Sequence, residues 1–337
     1  MRRWIVGASM LCLVWVGSIP STASAAAPSI TAGAAHALAV RADGIALAWG
    51  ANESGELGQG TSSPSSSDIV QSLVPLAVPG LANVASVAAM RTVAAAVTRD
   101  GHVYVWGSLG GKILAPTLVA AISDVRIVSI TAGAFVALKN DGTVWTWSNA
   151  EAASLAPISI PGRVVAIAGG AAHALAVTDD GSVWSWGSNF NGQLGDGTTT
   201  DRPAPARVPG ISGASAVAAG DTHSLAVTND GRVWAWGGNS GAVLGNALGP
   251  PRLTPGVIAG LPAATAVDAK AFRSIALAAD GTVWHWGDGP ATPTQMPGVT
   301  SAAKVAAGNP HFMVILRSGT LMTWGINQYG EVGNGST

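Results

Sequence analysis

The stretch Ala168–Gly187 reads AGGAAHALAVTDDGSVWSWG, and shortly after it Asn189–Thr198 reads NFNGQLGDGT. Two runs of alternating apolar residues flank the pair Asp180-Gly181. A period of two is typical of β-strands, and an Asp-Gly pair between two such runs indicates a hairpin turn in which both central residues take positive φ. The stretch therefore predicts a β-hairpin that ends in Trp-x-Trp-Gly.

This hairpin recurs along the whole chain. The turn glycines are Gly44, Gly101, Gly142, Gly181, Gly231, Gly281 and Gly319. A tryptophan follows five residues later each time, at Trp49, Trp106, Trp147, Trp186, Trp236, Trp286 and Trp324. The interval of about 46 residues is typical of propeller blades, and proline-containing segments such as Pro205–Val208 predict a further edge strand. The repeats predict an all-β, seven-bladed β-propeller in which each tryptophan fills the gap between neighbouring blades.

The first 25 residues predict a cleaved signal peptide. Arg2 and Arg3 precede the uncharged apolar run Trp4–Ile19, and Ala23–Ala25 supplies small residues for cleavage after Ala25. A retained membrane anchor is the alternative, but the run is shorter than the roughly 20 residues that span a bilayer. We therefore expect a secreted or periplasmic propeller over residues 26–337. Its chain would be free of cysteine, because the single cysteine is Cys12.

The charge pattern excludes some partner classes. Charged residues make up 10% of the chain, and the formal net charge is −1. No run of lysine or arginine follows Arg3. Nucleic acid and anionic membrane surfaces need concentrated positive charge, so neither is an expected partner.

The order Gly-x-x-His-(Ser/Ala)-Leu-Ala-(Leu/Val), Asp-Gly-x-Val-Trp-x-Trp-Gly and Asn-x-x-Gly-Gln-Leu-Gly resembles the regulator of chromosome condensation repeat family, from Ile30 to Thr337. The resemblance implies seven four-stranded blades and leaves the activity open, because members include an exchange factor, a photoreceptor and a β-lactamase inhibitor. In the photoreceptor, tryptophans between the repeat's Gly and His form the chromophore. In the inhibitor, the same positions are rich in aromatic residues and help to form the face that grips the enzyme. Here those positions are mostly small, and Phe135 and Phe272 are the aromatic ones.

Four copies keep the repeat's histidine together with the Asn-x-x-Gly loop. These histidines are His36, His173, His223 and His311, whereas Val93, Val136 and Arg273 replace them in copies two, three and six. The joint loss predicts a hydrogen bond from the imidazole to the loop backbone. A shared metal site is not expected, because the histidines lie on different blades and zinc–nitrogen bonds are about 2.0–2.1 Å. No catalytic or phosphate-binding motif is present, so neither a cofactor nor an enzymatic activity is predicted.

We therefore predict a secreted, non-catalytic binding module that presents one propeller face to a protein or to a surface glycan. The candidate contact residues depart from the repeat consensus and are Arg91, Phe135, Asp221, Phe272, Arg273 and Asn309. Neutral drift in weak repeats explains the same departures. Two other functions stay open: an enzyme with its site in the central channel, and a structural repeat array of a larger envelope protein. The seventh copy stops at Thr337, which predicts either a three-stranded last blade or a longer protein.

Overall fold

The computed structural model describes residues 12–14, 29–62, 71–108, 111–152, 154–309 and 311–337, and residues 12–14 are described by their backbone alone. The strands form seven four-stranded sheets, of which six are meanders of consecutive strands, and the seventh takes its fourth strand from Cys12–Val14. The predicted seven-bladed β-propeller is therefore confirmed. The first strands of neighbouring blades contact one another around the central channel.

The strands are named here by their position in the blade. The first strands of blades 1 to 7 are Ser29–Ala32, Val84–Met90, Val125–Ile130, Val164–Gly169, Ala214–Ala219, Ala264–Lys270 and Ala302–Ala307. The second strands are His36–Val40, Val93–Thr98, Phe135–Lys139, His173–Thr178, His223–Thr228, Arg273–Ala278 and His311–Leu316. The third strands are Ala46–Ala51, Val103–Ser108, Val144–Trp147, Val183–Gly187, Val233–Gly237, Val283–Trp286 and Leu321–Gly325. The fourth strands of blades 1 to 6 are Gln71–Ala77, Lys112–Leu118, Ala156–Ile158, Arg202–Arg207, Arg252–Val257 and Thr294–Gln295.

The Asp-Gly hairpins differ from the expected turn in one respect. In blade 4, Gly181 has a φ of 75°, whereas Asp180 does not adopt a positive φ. The Gly181 N–H donates to the Thr178 carbonyl at 2.8 Å, which defines a type I turn followed by a glycine in the left-handed region. The Asp180 carboxylate accepts hydrogen bonds from Thr178 Oγ1 at 2.7 Å and from the Ser182 N–H at 2.9 Å. The predicted hairpin is confirmed, but the expectation of two positive-φ residues is wrong.

The seven repeat tryptophans lie between neighbouring blades, as the repeat pattern predicts. Each of the seven apolar clusters contains one of them. Trp106, for example, packs against Leu38 and Ala48 of the preceding blade. An aromatic side chain of this size buries roughly 150–250 Å², so the tryptophans supply much of the apolar contact between the sheets.

Four of these indoles also fix the preceding blade's loop. Trp236 Nε1 donates to the Gln193 carbonyl at 2.9 Å, and Trp106 Nε1 donates to the Glu56 carbonyl at 2.7 Å. Trp49 and Trp286 make the same bond in their blades. Each of these four tryptophans therefore connects its own blade to both the sheet and the loop of the preceding blade.

The fourth strand of blade 7 is Cys12–Val14, which pairs antiparallel with Leu321–Thr323. In the residues that the structure describes, blade 7 therefore has four strands. This strand belongs to the segment that the sequence predicts to be a signal peptide. The predicted cleavage site, Ala23–Ala25, lies outside the described residues.

Ser240–Ala242 forms one turn of 3₁₀-helix in the loop of blade 5. Among the residues that the structure describes, no helix is long and apolar enough to cross a membrane.

Candidate interaction face and central channel

One end of the propeller carries the turns between first and second strands and the loops between third and fourth strands. We call this end the turn face. In the part of the chain that the structure describes, backbone hydrogen bonds join the turns at five of the seven junctions between neighbouring blades, and we call the set of turns the ring. These bonds are Ala34 N to Arg91 O, Ala132 N to Ala171 O, Ala171 N to Gly220 O, Asp221 N to Ala271 O and Asn309 N to Gly33 O, at 2.8–3.4 Å.

Four of the predicted contact residues lie in this ring. Arg91, Asp221, Phe272 and Asn309 occupy the turns of blades 2, 5, 6 and 7, which are close in ring order. Arg91 and Asn309 are exposed, Phe272 is 41% exposed, and Asp221 is half-buried. The structure therefore places these four on one face, while a binding role for them stays a prediction.

Arg273 is close to the same face but is held from several sides. Its guanidinium forms a 2.8 Å ion pair with Asp288 and lies 5.7 Å from the ring centroid of Phe312. The side chain of Arg273 is only 11% exposed. Arg273 therefore stabilises the loop that contains Asp288, and its charge is paired with that carboxylate.

Phe135 does not lie on the turn face. The backbone register pairs Phe135 with Trp147, and in the other blades the residue paired with this tryptophan follows the histidine position. Ala134 therefore holds the histidine position of blade 3, and the assignment of that position to Val136 is wrong by two residues. Phe135 is 1% exposed and stacks on Trp147 with 5.1 Å between ring centroids, so it is a core residue.

Among the described residues of the turn face, the most exposed apolar side chains are not ones that the repeat pattern predicts as contact residues. They are Phe190 at 81%, Leu248 at 75% and Ile326 at 55% exposure. Phe190 and Leu248 lie in loops between third and fourth strands, and Ile326 directly follows the third strand of blade 7. A signal was available for Phe190, because it is one of four phenylalanines and lies between two asparagines.

The histidines contact the next blade through a serine. His173 Nε2 lies 2.9 Å from Ser224 Oγ, and that hydroxyl donates to the Gln193 carbonyl at 2.8 Å. Because the hydroxyl proton is used in this bond, the imidazole Nε2–H donates to the serine oxygen. Gln193 lies in the loop of the blade that carries His173. The predicted link between histidine and loop therefore exists, but it runs through a serine and not directly to the backbone.

His223 repeats this arrangement, whereas His36 and His311 do not. His223 Nε2 lies 3.0 Å from Ser274 Oγ, but His36 Nε2 and both ring nitrogens of His311 have no hydrogen-bond partner. The residues equivalent to the serines are Ala94 and Ala37, which have no hydroxyl. Burial lowers the pKa of His36, His223 and His311 to about 3, and that of His173 to about 4.

The glycine three residues before each histidine leaves room for the imidazole. A Cβ atom at Gly33, Gly170 or Gly220 would lie closer to the His Cε1 atom than van der Waals contact allows. Blades without the histidine have a side chain at this position, namely Met90, Thr131 and Lys270. Gly and His are therefore one structural unit.

Lys270 and Asp268 lie on the first strand of blade 6, which lines the channel. Lys270 Nζ donates to the Ala89 carbonyl at 2.9 Å, and Ala89 belongs to blade 2, three blades further around the ring. Asp268 Oδ2 accepts the Ala307 N–H of blade 7 at 2.8 Å. Burial raises the pKa of Asp268 and lowers that of Lys270, and the attraction between the two opposes both shifts. The pair thus joins blades 6, 7 and 2.

The ionisable groups offer little support for a metal site. Within the described ranges, no group of three or more His, Cys, Asp and Glu residues is arranged to hold a metal ion. The four buried histidines lie on blades 1, 4, 5 and 7.

Comparison with known protein families identifies two matching family models. The RCC1-like domain model matches residues 16–292, and the regulator of chromosome condensation (RCC1) repeat model matches residues 302–331. A comparison with curated protein sequences gives no match.

Solved structures share the fold at low sequence identity. Human WBSCR16 is 22% identical, with a TM-score of 0.77 over 87% of this chain and 91% of that chain. Prp20p from Saccharomyces cerevisiae, described with its binding to Gsp1p and histones, is 21% identical, with a TM-score of 0.71 over 90% of this chain and 83% of that chain. Yeast RCC1 (Prp20) bound to Kap60 is 19% identical, with a TM-score of 0.76 over 100% of this chain and 89% of that chain. With the blade architecture and the family match over most of its length, the chain belongs to the RCC1-like domain family.

Proposed function

We propose that the protein is a secreted, non-catalytic binding module that holds a protein or a cell-envelope ligand on its turn face. The turns have a rigid backbone, because hydrogen bonds connect them at five of the seven junctions between neighbouring blades. Rigid surfaces lose little conformational entropy on binding. The yeast relative Prp20 is described in complex with Kap60 and as a binder of Gsp1p and histones, which supports a protein as the ligand.

The observation that carries the proposal is the grouping of Arg91, Asp221, Phe272 and Asn309 in this ring. Their exposed or half-buried side chains provide charge, an aromatic ring and an amide on one surface. The turns of blades 3 and 4 differ, since they contain Ala132, Gly133 and Ala172. A partner centred on blades 5, 6, 7, 1 and 2 therefore meets most of the chemically distinct residues.

An enzyme with its site in the channel is the second candidate, and the Asp268–Lys270 pair favours it. Clustered ionisable groups with shifted pKa values are common at catalytic sites. However, the Lys270 ammonium is bonded to the Ala89 carbonyl, and the Asp268 carboxylate accepts two backbone N–H groups. These contacts explain both residues through the joining of blades, and binding at the turn face is the better-supported function.

The test is an affinity capture with the processed chain on the cell-envelope and secreted fractions of its own source, with mass spectrometry of what is retained. The face variant combines Arg91→Glu, Phe272→Ser and Asn309→Ala, and leaves Arg273 intact because of its ion pair. The control variant combines Arg317→Glu at the opposite end with Leu118→Ser on a fourth strand, both of which are exposed. Stoichiometric retention by the wild type and the control, and loss in the face variant, is the expected result. Equal retention by all three would contradict this face.

A further inference from the structure

Among the residues that the structure describes, the exposed large apolar side chains lie in two regions of the propeller. Four of the eight belong to fourth strands at the outer rim: Val74, Leu76, Leu118 and Val257. The other four belong to the turn face: Phe190, Leu248, Phe272 and Ile326. These last residues lie on blades 4, 5, 6 and 7, which are consecutive, and we call them the apolar arc.

The loops of the arc are held in place by the protein itself. Asn189 Oδ1 accepts the Leu194 N–H at 2.9 Å, which fixes the loop that begins with Phe190. Asn327 makes the equivalent bond to the Val332 N–H at 2.8 Å, next to Ile326. Asn239 Nδ2 donates to the Ala247 carbonyl at 2.9 Å, directly before Leu248. The apolar side chains are therefore presented to solvent on ordered loops, as expected of a preformed interaction surface.

The charges beside the arc are acidic. Asp201 is exposed, Asp221 is half-buried, and Asp288 is 57% exposed. The nearby arginines are occupied: Arg202 forms a 2.7 Å ion pair with Asp196, and Arg252 donates to backbone carbonyls. On blades 4 to 7 of the turn face, within the described residues, Asp201 and Asp221 thus form no ion pair with a side-chain cation, whereas Asp288 is paired with Arg273.

From this pattern we infer that the apolar arc binds a protein partner whose apolar contact patch is bordered by lysine or arginine. The inference rests on the proposed binding function and specifies its partner. Apolar side chains would be buried at the centre of the contact, and the carboxylates would favour a basic border through charge complementarity. Anionic lipids and acidic glycans would be repelled. A neutral glycan is less well matched, because two of the four arc residues are aliphatic and give no flat ring for a sugar.

The test uses two synthetic peptides with the same apolar core, one flanked by lysines and the other by glutamates. We expect the processed protein to bind the lysine-flanked peptide at least ten-fold more tightly at low salt. The difference should shrink as salt is raised, because exposed charges are screened. Neutral and anionic lipid vesicles are the alternative probes. Binding to vesicles with no discrimination between the peptides would overturn the inference.

Two variants connect the result to the arc. The triple variant Phe190→Ser, Leu248→Ser and Ile326→Ser should bind the lysine-flanked peptide about ten-fold or more weakly than the wild type does. Asp201→Lys with Asp221→Lys should reverse the preference towards the glutamate-flanked peptide. Val74→Ser with Leu118→Ser and Val257→Ser is the matched control, since these are exposed apolar residues of the rim, and it should bind as the wild type does. An unchanged peptide preference in either arc variant would contradict the inference.

The two proposals can fail separately. If capture from the envelope fraction is lost in the Arg91, Phe272 and Asn309 variant but kept in the Phe190, Leu248 and Ile326 variant, the turn face binds and the arc inference is wrong. If the peptide preference is as expected but nothing is captured from the envelope, the arc inference holds and the proposed envelope partner is wrong.

Discussion

The Nε2 atom of His223 lies 3.0 Å from the Oγ atom of Ser274 in the next blade, whereas the residue equivalent to Ser274 beside His311 is Ala37. His311 is fully buried and its ring nitrogens have no partner. An unsatisfied buried polar group costs roughly 1–3 kcal/mol, so Ala37→Ser should provide the missing acceptor. We expect it to raise the free energy of unfolding by about 1 kcal/mol, measured by urea denaturation. A decrease would show that the hydroxyl cannot reach the imidazole.

Removing a serine that is already in use should have the opposite effect. Ser224 joins His173 to the Gln193 carbonyl, so Ser224→Ala leaves the imidazole without its partner. We expect a loss of about 1–3 kcal/mol in the same measurement. Ser318→Ala, at an exposed turn on the opposite end, is the control and should be close to neutral.

The Gly-x-x-His unit can be tested with a double-mutant cycle. A Cβ atom at Gly220 would overlap the His223 ring, and the nearest other atom, the Ala271 carbonyl oxygen, would be 3.1 Å away. Gly220→Ala should therefore cost about 1–3 kcal/mol through overpacking. In a His223→Val background, the destabilisation caused by Gly220→Ala should be smaller by at least about 1 kcal/mol. Strict additivity of the two substitutions would contradict the steric explanation.

The buried histidines predict a loss of stability in acid. Their pKa in the folded protein lies at about 3 to 4, below the ordinary value of 6.5, so the fold favours neutral imidazole. As the pH falls below about 6.5, the unfolded chain binds protons that the folded chain does not. Each histidine then lowers the free energy of unfolding by about 1.4 kcal/mol per pH unit. Glu56, Asp268 and Glu331, whose pKa is raised mainly by burial, act in the opposite direction and reduce the net loss.

Urea denaturation at pH 7, 6 and 5 measures this slope. The free energy of unfolding should decrease towards pH 5, and His311→Gln should make the decrease smaller. A slope that is the same in both proteins would show that His311 accepts a proton in the folded state.

Replacing both Asp268 and Lys270 should destabilise the protein less than replacing Lys270 alone. Lys270→Met removes the bond to the Ala89 carbonyl and leaves the Asp268 carboxylate without its cation, which should cost about 3 kcal/mol. Adding Asp268→Ser should recover part of this loss. The reason is that Ser129 in blade 3 already makes the equivalent bond, accepting the Gly169 N–H at 2.8 Å. No recovery in the double variant would argue for a role of the carboxylate beyond this contact.

Export and processing can be followed through blade 7. If the leader is removed after Ala25, the intact mass of the exported protein should correspond to a chain beginning at Ala26. Cys12–Val14 would then be absent, and the edge of Leu321–Thr323 would lose its pairing strand. Amide hydrogen exchange at this edge should be faster in the processed chain than in the unprocessed chain. Equal exchange would mean that another segment covers the edge or that Cys12–Val14 does not protect it.

The repeat pattern was sufficient to predict the propeller and the positions of its tryptophans, because both depend on local alternation and a fixed period. The pattern did not predict the position of Phe135, because blade 3 has neither the repeat's histidine nor the Asn-x-x-Gly loop. A single glycine is then the one remaining marker for the register of the second strand. The backbone register with Trp147 resolves the ambiguity. The exposed loop residues Phe190, Leu248 and Ile326 were missed, because exposure depends on how a loop folds and not on its apolar content. Lys270 was also missed, since its partner Ala89 is 181 residues away in sequence.

The contact between Gly220 and His223 restricts the order in which a blade can diverge from its neighbours. If the glycine changed first, the new side chain would meet the imidazole, and the intermediate would be selected against. If the histidine changed first, the space beside the glycine would simply become larger, and a later Gly substitution would be tolerated. Met90, Thr131 and Lys270 occupy this position in blades that have no histidine, as this order of changes requires.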